Sequence, residues 1–162
     1  MLLENGARPD LVDEQGQSAF AVAVQFQDKK TIHQLLANDA DPLPVFANTI
    51  KIGALHHAEF LLESLSDNSD LDPFLVSCVK AAAIPLARIV LEKGASPNAR
   101  SKQGDPVLNM AARDGNLPMV RLLLENGVDV HLKDTEGRSA YLLAEGPLKA
   151  EIKTAIRAYF KN

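Results

Sequence analysis

The stretch GDPVLNMAARDGNLPMVRLLLENG, residues 104–127, decides how the chain is read, because the chain contains it more than once in altered form. Shifted back by 33 positions it overlies LDPFLVSCVKAAAIPLARIVLEKG, residues 71–94, without a gap. Pro106 falls on Pro73, Leu108 on Leu75, Ala111 on Cys78, Pro118 on Pro85 and Leu123 on Val90. At an offset of 88, GQSAFAVAVQFQDKKTIHQLLAND (16–39) fits the same template, with Asp39 where the glycine would stand. The glycines follow the same grid: Gly6 to Gly16, Gly94 to Gly104 and Gly127 to Gly137 are each 10 residues apart. A period near 33 marks a stacked array, in which each unit has an apolar face that only its neighbours can cover.

Local chemistry predicts two short helices per unit. Asp72 and Asp105 precede Pro73 and Pro106, the order expected for an acidic cap followed by proline in the first turn. Pro85 and Pro118 open the second helix in the same way, and Val120 with Leu122, Leu123 and Leu124 gives a broad apolar face at helical spacing. Gly94 and Gly127 then read as left-handed helix stops. The polar ten-residue spacers between glycines are long enough to project as fingers.

A unit of finger, helix, turn and helix resembles the ankyrin repeat, whose pattern runs G-x-T-P-L-H-x-A-A, then G-H, V-x-L-L-L and G-A-D-V-N. Here the pattern appears as GDPVLNMAA, GN and VRLLLENGVDV, with GRSAYLLA and GQSAFAVA as looser copies. Pro73 and Pro106 replace the threonine, and Ala21, Val76, Asn109 and Leu142 replace the histidine, which should change local hydrogen bonding and leave the architecture intact. The resemblance implies an all-α ankyrin-repeat solenoid of about five helix–turn–helix units, forming a single domain over 1–162. Its divisions would be the tail of a truncated repeat at 1–9, repeats at 10–42, 43–66, 67–97 and 98–130, and a C-terminal capping repeat at 131–162. The opening MLLENGARPD repeats the words that close a second helix elsewhere, so the array is expected to continue upstream. Lys153 and Arg157 fall in the slots of Val120 and Leu124, which gives the last unit the polar face of a cap.

The grid breaks once. Asp39 to Gly94 spans 55 residues, eleven short of two periods. PVFANTIKIGALHHAEFLLESL (44–65) matches 106–127 at an offset of 62, so the missing residues belong to linkers: seven between Asp39 and Pro44, four between Leu65 and Asp72. One finger is deleted and the next is shortened. Both a docking notch with altered twist and a drifted but packed repeat are compatible with this.

The sequence shows no assembled chemistry. It has no phosphate loop and no strand–GxGxxG–helix unit. GQS and GRS lack the closing glycine of a nucleophile elbow. His33, His56, His57 and His131 do not fall at metal-ligand spacing, and SDNSDLD, with Asp67, Asp70 and Asp72, lacks the glycine and terminal glutamate of a calcium loop. No cofactor or metal is expected, and no enzyme. Cys78, the single cysteine, occupies an inner packing slot, and one thiol with no partner suits a reducing compartment such as the cytoplasm. A net charge of -4 and the absence of any long apolar run point away from nucleic acid and from membrane insertion.

The remaining signal lies on the surface. The residue that follows the Ala-Ala slot reads Gln25, Lys51, Lys80 and Arg113, so three consecutive units carry a cation there. Resemblance to ankyrin domains adds the finger tips: Arg100, Lys102 and Gln103 in one unit, Lys133 and Arg138 in the next, with Phe26 one position along as an apolar anchor. Asp105, Asp114, Asp134 and Glu136 interrupt this field. One reading is a solvated helix face; the other is a docking groove for an acidic or phosphorylated protein segment. The expected function is protein–protein recognition on the concave helix and finger surface, with a structural or regulatory spacer in a larger protein as the alternative.

Overall fold

A computed structural model describes residues 11–14, 17–67 and 69–160. The reading of residues 1–9 as a repeat tail lies outside the described residues. The described chain is all-α, with ten helices and no strand; isolated antiparallel bridges join Val12 to Ser18, Arg100 to Pro106 and Lys133 to Ser139. These bridges close three fingers and occupy one slot of the repeat. Among the described residues no such bridge precedes the third or the fifth helix, where the sequence lacks linker residues. The chain divides into two compact units, Met1–Ser69 and Asp70–Asn162.

In the first unit α1 (Ala19–Gln25) packs on α2 (Lys29–Leu36), and α3 (Leu43–Lys51) on α4 (Leu55–Ser64). Ser18 Oγ accepts from the Ala21 N–H at 3.1 Å and Asp28 Oδ1 from the Thr31 N–H at 3.1 Å, so both α1 and α2 begin on a side-chain cap. The Thr31 hydroxyl also donates to Asp28 Oδ2 at 2.6 Å, and this bond, with the backbone one, holds the Asp28 carboxyl below its ordinary range. Phe20, Val24, Ile32, Leu35, Phe46, Leu61 and Leu62 form the core. Both α1 and α2 pack on α4.

The second unit pairs α5 (Asp72–Lys80) with α6 (Ile84–Glu92), α7 (Val107–Arg113) with α8 (Leu117–Glu125), and α9 (Ala140–Leu143) with α10 (Lys149–Tyr159). Like packs on like: α5 on α7 on α9, and α6 on α8 on α10. Leu75, Leu86, Leu108, Met119, Leu122 and Leu123 are all but fully buried, each contributing about 1.5–3 kcal/mol by removal from water. Lys153 and Arg157 lie 4.8 and 5.0 Å from the Tyr141 ring centre, so the last pair is closed by cations on an aromatic face where inner units place Val120 and Leu124.

The turn between paired helices demands one residue in the left-handed region. Gly115 (φ 68°) and Gly53 (φ 75°) meet that demand without a side chain, whereas Gln27 (φ 54°) and Ala82 (φ 53°) meet it against their own Cβ atoms. Asp39, at φ 61°, takes the left-handed stop that Gly94 and Gly127 supply elsewhere.

Two expected caps are used differently. Helix α5 starts at Asp72 itself, and Asp72 Oδ1 accepts from the Ser96 N–H at 2.8 Å, tying the helix start to the chain after α6. Asp105 lies one residue before the Pro106 N-cap of α7, and its carboxylate pairs with Arg113. Proline at the helix boundary displaces the acid from the capping position, so each carboxylate binds a more distant partner. Pro85 and Pro118 do sit in the first turns of α6 and α8.

Candidate functional site

Each finger is first stapled to itself. The Ser101 N–H donates to the Asp105 carbonyl at 2.9 Å, and the Asp134 N–H to the Arg138 carbonyl at 2.9 Å. The side chain in that slot accepts from the far arm: Ser101 Oγ from the Asp105 N–H at 3.2 Å, Asp134 Oδ1 from the Arg138 and Glu136 N–H groups at 2.8 and 3.0 Å. In the first unit Asp13 Oδ1 does the same for the Gln17 N–H at 2.8 Å. Asp13, Ser101 and Asp134 each lie three residues before a finger glycine. That recurring Asp/Ser-x-x-Gly signal was open to sequence reading and was overlooked.

The fingers of the second unit are then tied to each other. Arg100 Nη1 donates to the Gly104 carbonyl of its own finger at 2.7 Å and to the Lys133 carbonyl of the next at 2.9 Å. Asn98 Oδ1 accepts from the Asp129 N–H at 2.7 Å. Asn109, fully buried in the histidine slot, donates through Nδ2 to the Arg138 carbonyl at 2.9 Å. Asparagine in that slot thus makes a helix-to-finger hydrogen bond.

Charge pairs complete the bracing. Arg113 Nη1 lies 3.1 Å from Asp105 Oδ2, and Nη2 is 3.9 Å from Asp134 Oδ2. Arg138 reaches Asp134 through Nε at 2.9 Å and Glu136 through Nη1 at 2.8 Å. The Asp134 side chain is only 1% exposed. Burial pushes its carboxyl upward, but the Arg138 and Glu136 N–H groups and the Arg138 guanidinium outweigh that and hold it below the ordinary carboxylate range. The same pairing raises Arg138.

The proposed contact residues therefore fall into two classes. Arg100, Arg113 and Arg138 hold the fingers in place. Lys80, Lys102, Gln103 and Lys133 are exposed, and no acidic residue pairs with these lysines among the described residues. Lys80 and Arg113 are the last residues of α5 and α7, which pack together. Lys51, exposed at the end of α3, and Phe26, 74% exposed after α1, belong to the first unit. There α1 packs on α4. Phe26 lines an open groove of about 780 Å³ with Leu11, Val12, Ala19, Val22 and Thr31. Cys78 is fully buried and its thiol is pushed up to about 12 by burial, so it is a packing residue. His33, His56 and His131 are exposed; His131 stacks near Phe160 with ring centres 5.2 Å apart. Among the described residues no His, Cys, Asp and Glu cluster could hold a metal ion, and no helix is long and apolar enough to cross a membrane.

Residues 90–144 match the family model for ankyrin repeats (many copies). No curated protein sequence matches the chain. Among solved structures, the chain is similar to the ankyrin repeat domain of Bcl-3, described as a unique member of the IkappaB protein family. The TM-score is 0.67 at 24% identity, covering 96% of this chain and 74% of that one. Residues 90–144 thus match ankyrin repeats, and the chain as a whole has the ankyrin-repeat fold.

Proposed function

We propose that the chain is a protein–protein recognition module whose second unit docks an acidic or phosphorylated peptide along its finger row. The fold is a general module of protein–protein interaction and is typically non-enzymatic. The observation that carries the finer reading is the division of labour among cations. Arg100, Arg113 and Arg138 are engaged in bracing the fingers, while Lys80, Lys102 and Lys133 are exposed without an acidic partner. Rigid loops presenting unpaired ammonium groups attract carboxylates and phosphates at a low ordering cost. In the first unit, taken by itself, Phe26 and Lys51 are an exposed apolar side chain and an exposed cation, and the single buried thiol suits a reducing compartment such as the cytoplasm.

The test is a panel of acidic and phosphoserine peptides titrated against the chain and against the triple variant Lys80→Glu, Lys102→Glu, Lys133→Glu. Because the bracing arginines are untouched, helical content should hold. Affinity should fall by about tenfold or more, roughly 1.4 kcal/mol, and the loss should shrink at high salt. Peptide binding that survives the triple reversal would remove the finger row from consideration. A chain that binds no member of the panel would favour the spacer role.

A further inference from the structure

The end of α8 sets side by side two groups that can react with each other. Asn126 is the C-cap of that helix, and Gly127, at φ 77°, is the left-handed stop that follows it. Both residues are exposed, and a Cβ built on Gly127 would meet nothing within 4 Å, so the glycine is open to solvent. The amide carbon of an asparagine side chain is an electrophile, and the backbone nitrogen of a following glycine, with no Cβ beside it, is the least hindered nucleophile the chain can offer. The sequence pairs the two residues at Asn5–Gly6 and at Asn126–Gly127.

In the closed helix end the two groups are held apart. Asn126 Nδ2 donates to the Leu122 carbonyl at 2.8 Å, and the Gly127 N–H donates to the Leu124 carbonyl at 3.1 Å. Ring closure needs the Gly127 nitrogen on the same side of the Cα–C bond as the Asn126 Cβ, and at ψ 14° it is not. Both hydrogen bonds must therefore open before the atoms meet. Asn38 is a natural comparison. At the offset of 88 it holds the same slot, and its Nδ2 donates to the Gln34 carbonyl at 2.8 Å. The next residue there is Asp39, whose side chain stands in the way of the attack.

We propose that Asn126 is a modification site, deamidated by its own chain when the last turn of α8 opens, and that the product loosens the finger that follows. The Gly127 nitrogen attacks Asn126 Cγ and a C–N bond forms; the side-chain NH2 leaves with the Gly127 amide proton as ammonia. Water then opens the cyclic imide at either carbonyl, giving aspartate or isoaspartate. Neither product can donate to the Leu122 carbonyl, and each places a negative charge at the negative end of the helix dipole. Isoaspartate also adds a methylene to the main chain directly before Gly127. The segment after that glycine carries the buried Val128 and Val130 and the Asp129 N–H that donates to Asn98 Oδ1 at 2.7 Å.

The 162-residue chain is aged near neutral pH, both folded and in denaturant. Asparagine, aspartate and isoaspartate are then quantified peptide by peptide, which separates Asn126 from Asn5. The folded chain should convert Asn126 measurably, but at least about tenfold more slowly than the denatured chain, because only the opened fraction reacts. Asn38 should convert at least about tenfold less than Asn126 in the same folded sample. The direct product, Asn126→Asp, should melt about 2–4 °C below the parent. No conversion of Asn126 in the folded chain overturns the site. A folded rate equal to the denatured one overturns the gate, and an Asn126→Asp chain as stable as the parent overturns the consequence.

Discussion

The slots held by Ala99, Val107, Met110 and Met119 in the second unit are equivalent, at an offset of 88, to those of Leu11, Ala19, Val22 and Thr31 in the first, yet only the former are all buried. The difference teaches that a repeat's pattern specifies what a surface is fit to touch, and the neighbour decides whether it is touched. A second contrast accompanies it. With its fingers in place the second unit stacks first helix on first helix, while the first unit, lacking a finger before α3, sets both α1 and α2 on α4.

The sharpest way to break the comparison is to remove an anchor from each face. Met119→Ala should cost about 3 kcal/mol, the usual price of emptying a buried site, whereas Phe26→Ala at the open groove should stay within about 0.5 kcal/mol. Denaturant titration of both variants checks this, and equal losses would mean that the groove is covered. A smaller effect separates the helix turns. Ala82→Gly should stabilise by about 1 kcal/mol by relieving a left-handed alanine, and Gly115→Ala should destabilise by at least that much. At Gly115 an added Cβ would meet the Glu145 carbonyl oxygen only at ordinary contact distance, 3.4 Å, so the cost is that of the left-handed backbone. Thermal melts of the two variants should therefore move in opposite directions.

The finest distinction is one of pH. Asp134 is held below its ordinary value of 3.8, so its pairing stabilises the fold fully above that value and is lost as pH falls through the lower folded one. Asp134→Asn should flatten the fall of the melting midpoint between about pH 4 and pH 2, with little change of slope near neutrality. A variant whose acid slope equals the parent's would show that the second finger is not braced by this carboxylate.

Much of the architecture was legible because period arithmetic identifies equivalent slots. Glycines at fixed spacing, prolines in first turns and aliphatic runs placed both helices of every unit and the fingers that close on a bridge. Partnerships were less legible. Arg100, Arg113 and Arg138 read as offered charges, but each is drawn to carbonyls or carboxylates of a finger that only the folded stack brings near. Asp72 and Asp105 read as caps and instead reach Ser96 and Arg113. The column through Gln25 and Lys51 rests on like-on-like stacking; in the first unit α2 packs on α4 in that way, and α1 packs on α4 as well.

The seating of α1 and α2 on a single helix has a practical consequence for anyone engineering this scaffold. Transplanting recognition side chains from another array by repeat number would be safe across α5, α7 and α9, where the numbering tracks physical adjacency. In the first unit α1 sets itself on α4, the second helix of its neighbour, so designs there must follow coordinates instead of repeat number.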